Sequence, residues 1–230
     1  MAALDAVMAD TELDRLLDVL PPGPGDQAIT DPFALIVLET AGYLADDERR
    51  AEVFARLKSA TALSPARVAA EPELEAILAP GGMHPKVRAE RLRRISSTVA
   101  DRFAGDLSGG LSGLPAGHAR RFLLSLPSVG EPLADKILLF SGIDPRPALD
   151  SNGLRVMVRL GLVKERTSWS TTYREAMALI AREGRGEREW LMRLWFTLRA
   201  HGRAVCRRSA PLCLACPLEP ECPKTPIRAL

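Results

Sequence analysis

The chain has 230 residues, 47% of them hydrophobic and 5% aromatic, which suffices to bury one or two cores. No apolar run reaches the length of a membrane-spanning helix. The N-terminal stretch MAALDAVMADTELD is acidic where a secretory leader is basic, so the expectation is a cytoplasmic protein. The net charge of +2 conceals an asymmetry: residues 141–230 hold 16 Lys/Arg against 9 Asp/Glu, and residues 1–140 hold 15 against 20. A basic C-terminal part suits a polyanion such as nucleic acid, although an ordinary basic surface gives the same count.

In chain order, residues 10–20 carry apolar positions at helical spacing and stop at Pro21-Pro22-Gly23-Pro24-Gly25, a linker. Asp31 then caps a helix, with Pro32 at its first position and FALIVLETAGYLA following. Its one charge, Glu39, sits among Ile36, Val37, Leu38 and Tyr43, so it is either a partnered buried carboxylate or a functional one. Residues 46–57 continue helically, Ser64 caps a short helix, and 71–78 form another. The turn Pro80-Gly81-Gly82-Met83-His84-Pro85 leads into KVRAERLRRISSTVADRF. Lys86, Arg88, Arg91, Arg93 and Arg94 crowd the start of that helix against its dipole, which suits either a solvated face or a phosphate contact. Residues 105–117 read as a Gly/Ser/Pro loop.

Next, two helical runs meet at Leu126-Pro127-Ser128-Val129-Gly130, a helix–turn–helix hairpin. Asp150 follows as a lone acid at the start of another amphipathic helix; it is an N-cap, a functional carboxylate or both. Residues 172–183 and 187–199 form two more amphipathic helices. No segment alternates as a strand does and no period repeats, so the fold class is all-α.

All four cysteines fall at the end, with the spacing Cys206-x6-Cys213-x2-Cys216-x5-Cys222. Their clustering argues for a metal centre over a disulfide framework. Four thiolates satisfy either tetrahedral zinc or a [4Fe–4S] cube, and one C-x2-C inside two longer loops fits the larger cube better. The first loop carries Arg207 and Arg208, which a metal would hold rigid as contacts to a phosphate backbone.

These residues resemble a family. HGRAVC at 201–206, with the cysteine spacing after it, resembles the C-terminus of endonuclease III-type DNA glycosylases. LPSVGEPLADKIL resembles their helix-hairpin-helix, ALDSNGLRVMVRLGLV the segment bearing their catalytic aspartate, and DPFALIVLETAGYL the first helix of their six-helix barrel. The resemblance covers nearly the whole chain. It implies two helical domains with DNA in the cleft between them. One is a barrel over 30–140 that includes the hairpin at about 121–140. The other joins 1–29 to 141–230 and holds a [4Fe–4S] cluster on Cys206, Cys213, Cys216 and Cys222. The implied partner is double-stranded DNA containing a damaged or mismatched base, bound by a monomer.

Within the resemblance, Asp150 is the carboxylate that stabilises the oxocarbenium ion and guides water, and the hairpin Leu126, Pro127, Ser128, Val129 and Gly130 binds DNA, its amides around Val129 and Gly130 holding a phosphate. Bifunctional members carry a lysine nucleophile where this chain has Pro132. Lys136, one helical turn further on and about 6 Å along the axis, is the only substitute nearby. Glu39 falls where mismatch glycosylases carry a catalytic glutamate; on an apolar helix its pKa is expected to be raised, making it the acid that protonates the departing base. Asn152 matches the adenine type. The wedge segment reads Gly42-Tyr43-Leu44-Ala45, which makes Tyr43, Leu44 and Asn152 the candidates for base pocket and wedge. Ser128 replaces a hairpin glycine, a substitution that matters if the position needs positive φ. The expected activity is monofunctional base excision. The alternatives are a glycosylase/lyase for oxidised pyrimidines using Lys136, a non-catalytic binder of abasic or distorted DNA, and a zinc-stabilised DNA-binding regulator.

Overall fold

The computed structural model describes residues 11–23, 29–43, 45–115, 117–184 and 186–227. These residues form twelve α-helices and no strand; the one extended pairing among them is an isolated bridge between Tyr43 and Gly82. The chain divides into two compact units, Ala28–Pro145, and Met1–Gln27 with Arg146–Leu230. No helix among the described residues is long and apolar enough to cross a membrane.

The discontinuous unit opens the chain with α1 (Glu12–Val19), whose capping box pairs Thr11 with Asp14. Asp14 also accepts from the Trp190 indole N–H at 2.8 Å, a buried bond that fixes the first helix to a distant one. The Ala28–Pro145 unit then begins with α2 (Pro32–Ala41). The Asp31 carboxylate accepts from the Ala34 N–H at 2.7 Å, and Phe33, Leu35, Ile36 and Val37 are buried. After α2 come α3 (Asp47–Thr61), α4 (Pro65–Ala70), α5 (Leu74–Leu78) and α6 (Pro85–Phe103). Ser64 holds the cap position of α4 without a side-chain bond to it.

The cations of α6 divide by role. Arg88 is buried and donates to the carbonyls of Met83, Thr40, Ala41, Leu78 and Gly82 at 2.8–3.3 Å. Arg93 donates to the Glu71 carbonyl at 2.8 Å. These two serve chain ends that helices leave unsatisfied, and Lys86, Arg91 and Arg94 are exposed.

The stretch 105–117, expected as a loop, contains α7 (Leu107–Ser112). Asp106 caps it, accepting from the Gly109 N–H at 2.8 Å, and Leu107 and Leu111, one turn apart, are both buried. A cap and two core leucines outweigh Gly109 and Gly110, each of which costs about 1 kcal/mol in a helix interior. The unit closes with α8 (His118–Ser125) and α9 (Glu131–Ser141).

In the other unit, α10 (Ser151–Arg159), α11 (Trp169–Glu183) and α12 (Arg188–Ala204) follow. Helices α10 and α12 pack closely because Gly202 carries no side chain: a Cβ there would lie 2.6 Å from the Asn152 carbonyl oxygen. After α12 the chain makes two short 3₁₀ turns, Cys213–Ala215 and Glu219–Glu221.

Candidate functional site

In the hairpin, Leu126 and Val129 are buried anchors, while Ser128 and Gly130 are exposed. Ser128 adopts φ 65°, the left-handed conformation in which a glycine is the unstrained choice. The Val129 N–H donates to the Leu126 carbonyl at 3.2 Å, so it closes the turn and is not offered to a ligand as the sequence suggested. Gly130 caps α9 in ordinary extended geometry, and Pro132 occupies its first turn. Arg120 of α8 clamps the hairpin, bonding Asp135 at 2.7 Å and Glu131 at 3.3 Å. The carboxylate of Glu131 at the hairpin end is thereby paired.

Asp150 is the N-cap of α10. Its Oδ1 accepts from the Gly153 N–H at 2.8 Å, and its Oδ2 from the Asn152 amide at 2.8 Å, with the Arg199 guanidinium 3.3 Å away. Every partner in this set is a donor, so both carboxylate oxygens act as acceptors. Asn152, expected in a base pocket, is a link in a chain of bonds. Its Oδ1 accepts from Arg155 at 2.9 Å, and buried Arg155 also donates to the carbonyls of Gly202 at 2.7 Å and Cys206 at 3.0 Å. Burial pushes the Arg155 pKa down from the ordinary guanidinium range. Asp150 is thus joined through Asn152 and Arg155 to the first cysteine. Sequence reasoning passed over Arg155, Arg159 and Arg199. A signal existed for the first two: they stand four apart, one turn from each other, on the helix that Asp150 caps.

Within the Ala28–Pro145 unit, Glu39 and Lys136 meet although 97 residues separate them: Lys136 Nζ lies 2.7 Å from Glu39 Oε1. The Arg50 guanidinium is 3.5 Å from Oε2. The Lys136 side chain is 9% exposed and that of Glu39 27%, so the lysine is the buried member. Its ammonium also lies 5.4 Å from the Phe140 ring centroid. An apolar helix alone would favour a protonated Glu39; two adjacent cations favour its ionised form. Tyr43 is 51% exposed and bonded through its backbone to Gly81 at 2.9 Å. Leu44 lies outside the described residues.

The four cysteines are unpaired and line one cavity of about 330 Å³. Arg159 supports its wall, lying 3.3 Å from Cys206 Sγ and donating to the carbonyls of Cys206, Arg207 and Arg208 at 3.1, 2.6 and 3.1 Å. Cys216 Sγ is 3.6 Å from His201 Nε2. Burial pushes the Cys216 thiol up and the His201 imidazole down. Among the described residues no three Cys, His or acidic groups converge tightly enough for a single ion. Thiols ringing a cavity, with guanidinium and peptide support, suit a polynuclear group. The Arg207 and Arg208 side chains are exposed on this loop.

No family model matches the chain. Among curated proteins, a thymine/uracil-DNA glycosylase of Pyrobaculum aerophilum is 34% identical over 161 residues, covering 67% of this chain. The match spans 64% of that relative, a little under two thirds of its length. An endonuclease III of Thermotoga maritima is 27% identical over 204 residues, 86% of each chain. Among solved structures, a trapped endonuclease III–DNA covalent intermediate superposes with a TM-score of 0.74 at 23% identity over 92% of both chains, an agreement in fold. The chain's homologues are DNA glycosylases of the endonuclease III and thymine/uracil types, and it shares the all-α fold of the endonuclease III structures.

Proposed function

We propose that this protein is a monofunctional base-excision glycosylase that flips a damaged or mismatched base from duplex DNA and hydrolyses its N-glycosidic bond. The observation that carries the reading is Asp150 at the start of α10, its carboxylate held by three donors. A fixed carboxylate beside the sugar stabilises the oxocarbenium ion as it forms and takes the proton of the attacking water. Glu39 is the carboxylate that serves the departing base. Lyase chemistry needs a neutral amine, yet Pro132 supplies none and Lys136 faces a carboxylate at 2.7 Å.

The exposed Ser128 and Gly130 of the hairpin and the Arg207 and Arg208 side chains contact the phosphate backbone, and Tyr43 faces the duplex. Cys206, Cys213, Cys216 and Cys222 hold a [4Fe–4S] cluster whose contribution when bound is structural, stiffening the loop that carries the two arginines. Such a protein works as a monomer on the nucleoid, in the cytoplasm.

The test is a panel of lesion-containing duplexes, each product run with and without alkali. The expected result is strand breaks that appear only after alkali. Breaks without alkali, together with a borohydride-trapped adduct lost in Lys136→Ala, would establish the lyase instead.

A further inference from the structure

We infer that Lys136 is a positioning residue whose ammonium keeps Glu39 ionised and accepting, so that the site serves a departing 2,4-dioxopyrimidine and not a base that must be protonated to leave; this rests on the glycosylase reading above. The two carboxylate oxygens of Glu39 face different helices. Oε1 meets Lys136 of α9 at 2.7 Å, and Oε2 meets Arg50 of α3 at 3.5 Å. From α6, the Arg88 guanidinium sits on the carbonyls of Thr40 and Ala41, directly after Glu39 in the chain. The other helix packed on α2, α7, carries no charged side chain. The two charged groups that these contacts place against the Glu39 carboxylate, Lys136 and Arg50, are both positive.

Lys136 lies within the buried run from Ala134 to Phe140, where an ammonium without a counter-charge would be costly. Each member of the pair thus requires the charge of the other. An ionised carboxylate has no proton to give; it only accepts. Adenine and similar purines leave once a ring nitrogen is protonated, which calls for a donor on the base side. An imide pyrimidine leaves as a resonance-stabilised anion. In that step the C1′–N1 bond breaks and its electron pair stays on N1, spreading onto the two carbonyl oxygens. The oxygen of water bonds C1′, its proton goes to the carboxylate beside the sugar, and the released anion takes a proton from solvent. Glu39 would accept from the imide N3–H of the flipped base, a Watson–Crick edge contact. Lys136 offsets the charge of that acceptor, so no net negative charge opposes the growing anion.

The experiment is single-turnover base release between pH 5 and pH 9 from duplexes holding thymine or uracil opposite guanine, and adenine opposite guanine. It compares wild type, Lys136→Met, Lys136→Arg, Glu39→Gln and the Lys136→Met/Glu39→Gln double variant. The wild type is expected to release the pyrimidines at a rate that stays level from neutral to alkaline pH. Lys136→Met should lose about tenfold near pH 6, its acid limb moving up by about one pH unit as Glu39 loses a cation. Lys136→Arg should recover most of the rate. In the Glu39→Gln background, Lys136→Met should change the rate by less than about twofold, since the lysine acts through the carboxylate. A wild-type rate that falls with rising pH through a step abolished by Glu39→Gln makes Glu39 an acid and overturns the assignment. Faster release of adenine than of either pyrimidine overturns it, as does a full Lys136→Met loss in the Glu39→Gln background. Release of no base from any duplex overturns the glycosylase reading itself.

Discussion

Replacing Arg155 by methionine tests how Asp150 is held. Arg155 is 4% exposed and donates to the carbonyls of Gly202 and Cys206 and to the Asn152 amide oxygen. Methionine keeps much of the volume and removes all three bonds. The Cys206 carbonyl retains Arg159 at 3.1 Å, and half-buried Asn152 can bind water, so neither is stranded. The Gly202 carbonyl is buried and loses the 2.7 Å bond. Leaving one buried acceptor unsatisfied costs about 1–3 kcal/mol, and loss of the charged bond to Asn152 adds to it, for a total of about 2–3 kcal/mol. For a chain of this size that lowers Tm by roughly 5–10 °C. Asn152, released at one end, orients Asp150 less well, so single-turnover base release should fall by about tenfold at a temperature where the variant is folded. Asn152→Ala separates the two effects: it should reproduce the loss of rate with little loss of Tm. Arg155→Met with unchanged Tm and unchanged rate would refute the relay.

The remaining predictions concern the frame of the site. Ser128→Gly should raise stability by about 0.5–1 kcal/mol in urea unfolding, because glycine adopts φ 65° without the strain serine bears. Asp106→Ala should lower it by about 1 kcal/mol through loss of the α7 cap, and an unchanged midpoint would mean that the helix does not depend on it. Cys216→Ser should abolish bound iron and absorbance near 400 nm in purified protein; retained absorbance would exclude Cys216 from the ligand set.

Caps and periodicity made most helices legible, as with Asp31 and Pro32 ahead of α2. The error at α7 has a physical source. Glycine content signals loops only on average, and the burial of Leu107 and Leu111 is a tertiary fact invisible locally. The doubt about Ser128 was readable, since a serine in a glycine position of a hairpin announces strain, and φ 65° bears it. Glu39 was legible as a charge in need of a partner on an apolar helix. The partner was not, because Lys136 lies 97 residues away and only the packing of α2 on α9 unites them. The same limit hid Arg199, which approaches Asp150 because α10 and α12 close on Gly202. Asn152 was noticed for its place two residues after Asp150, a spacing that equally allows the bond it makes to that carboxylate.

The central claim is that Asp150 drives hydrolysis of an N-glycosidic bond, and mass-spectrometric detection of free base tests it most directly. Duplexes carrying thymine or uracil opposite guanine are incubated with wild type and with Asp150→Asn, and DNA binding is measured in parallel. The account predicts free base from the wild type, a loss of at least about a thousandfold in the variant, and DNA affinity preserved within severalfold. Equal release by Asp150→Asn, or none by the wild type from any lesion-bearing duplex, would contradict it.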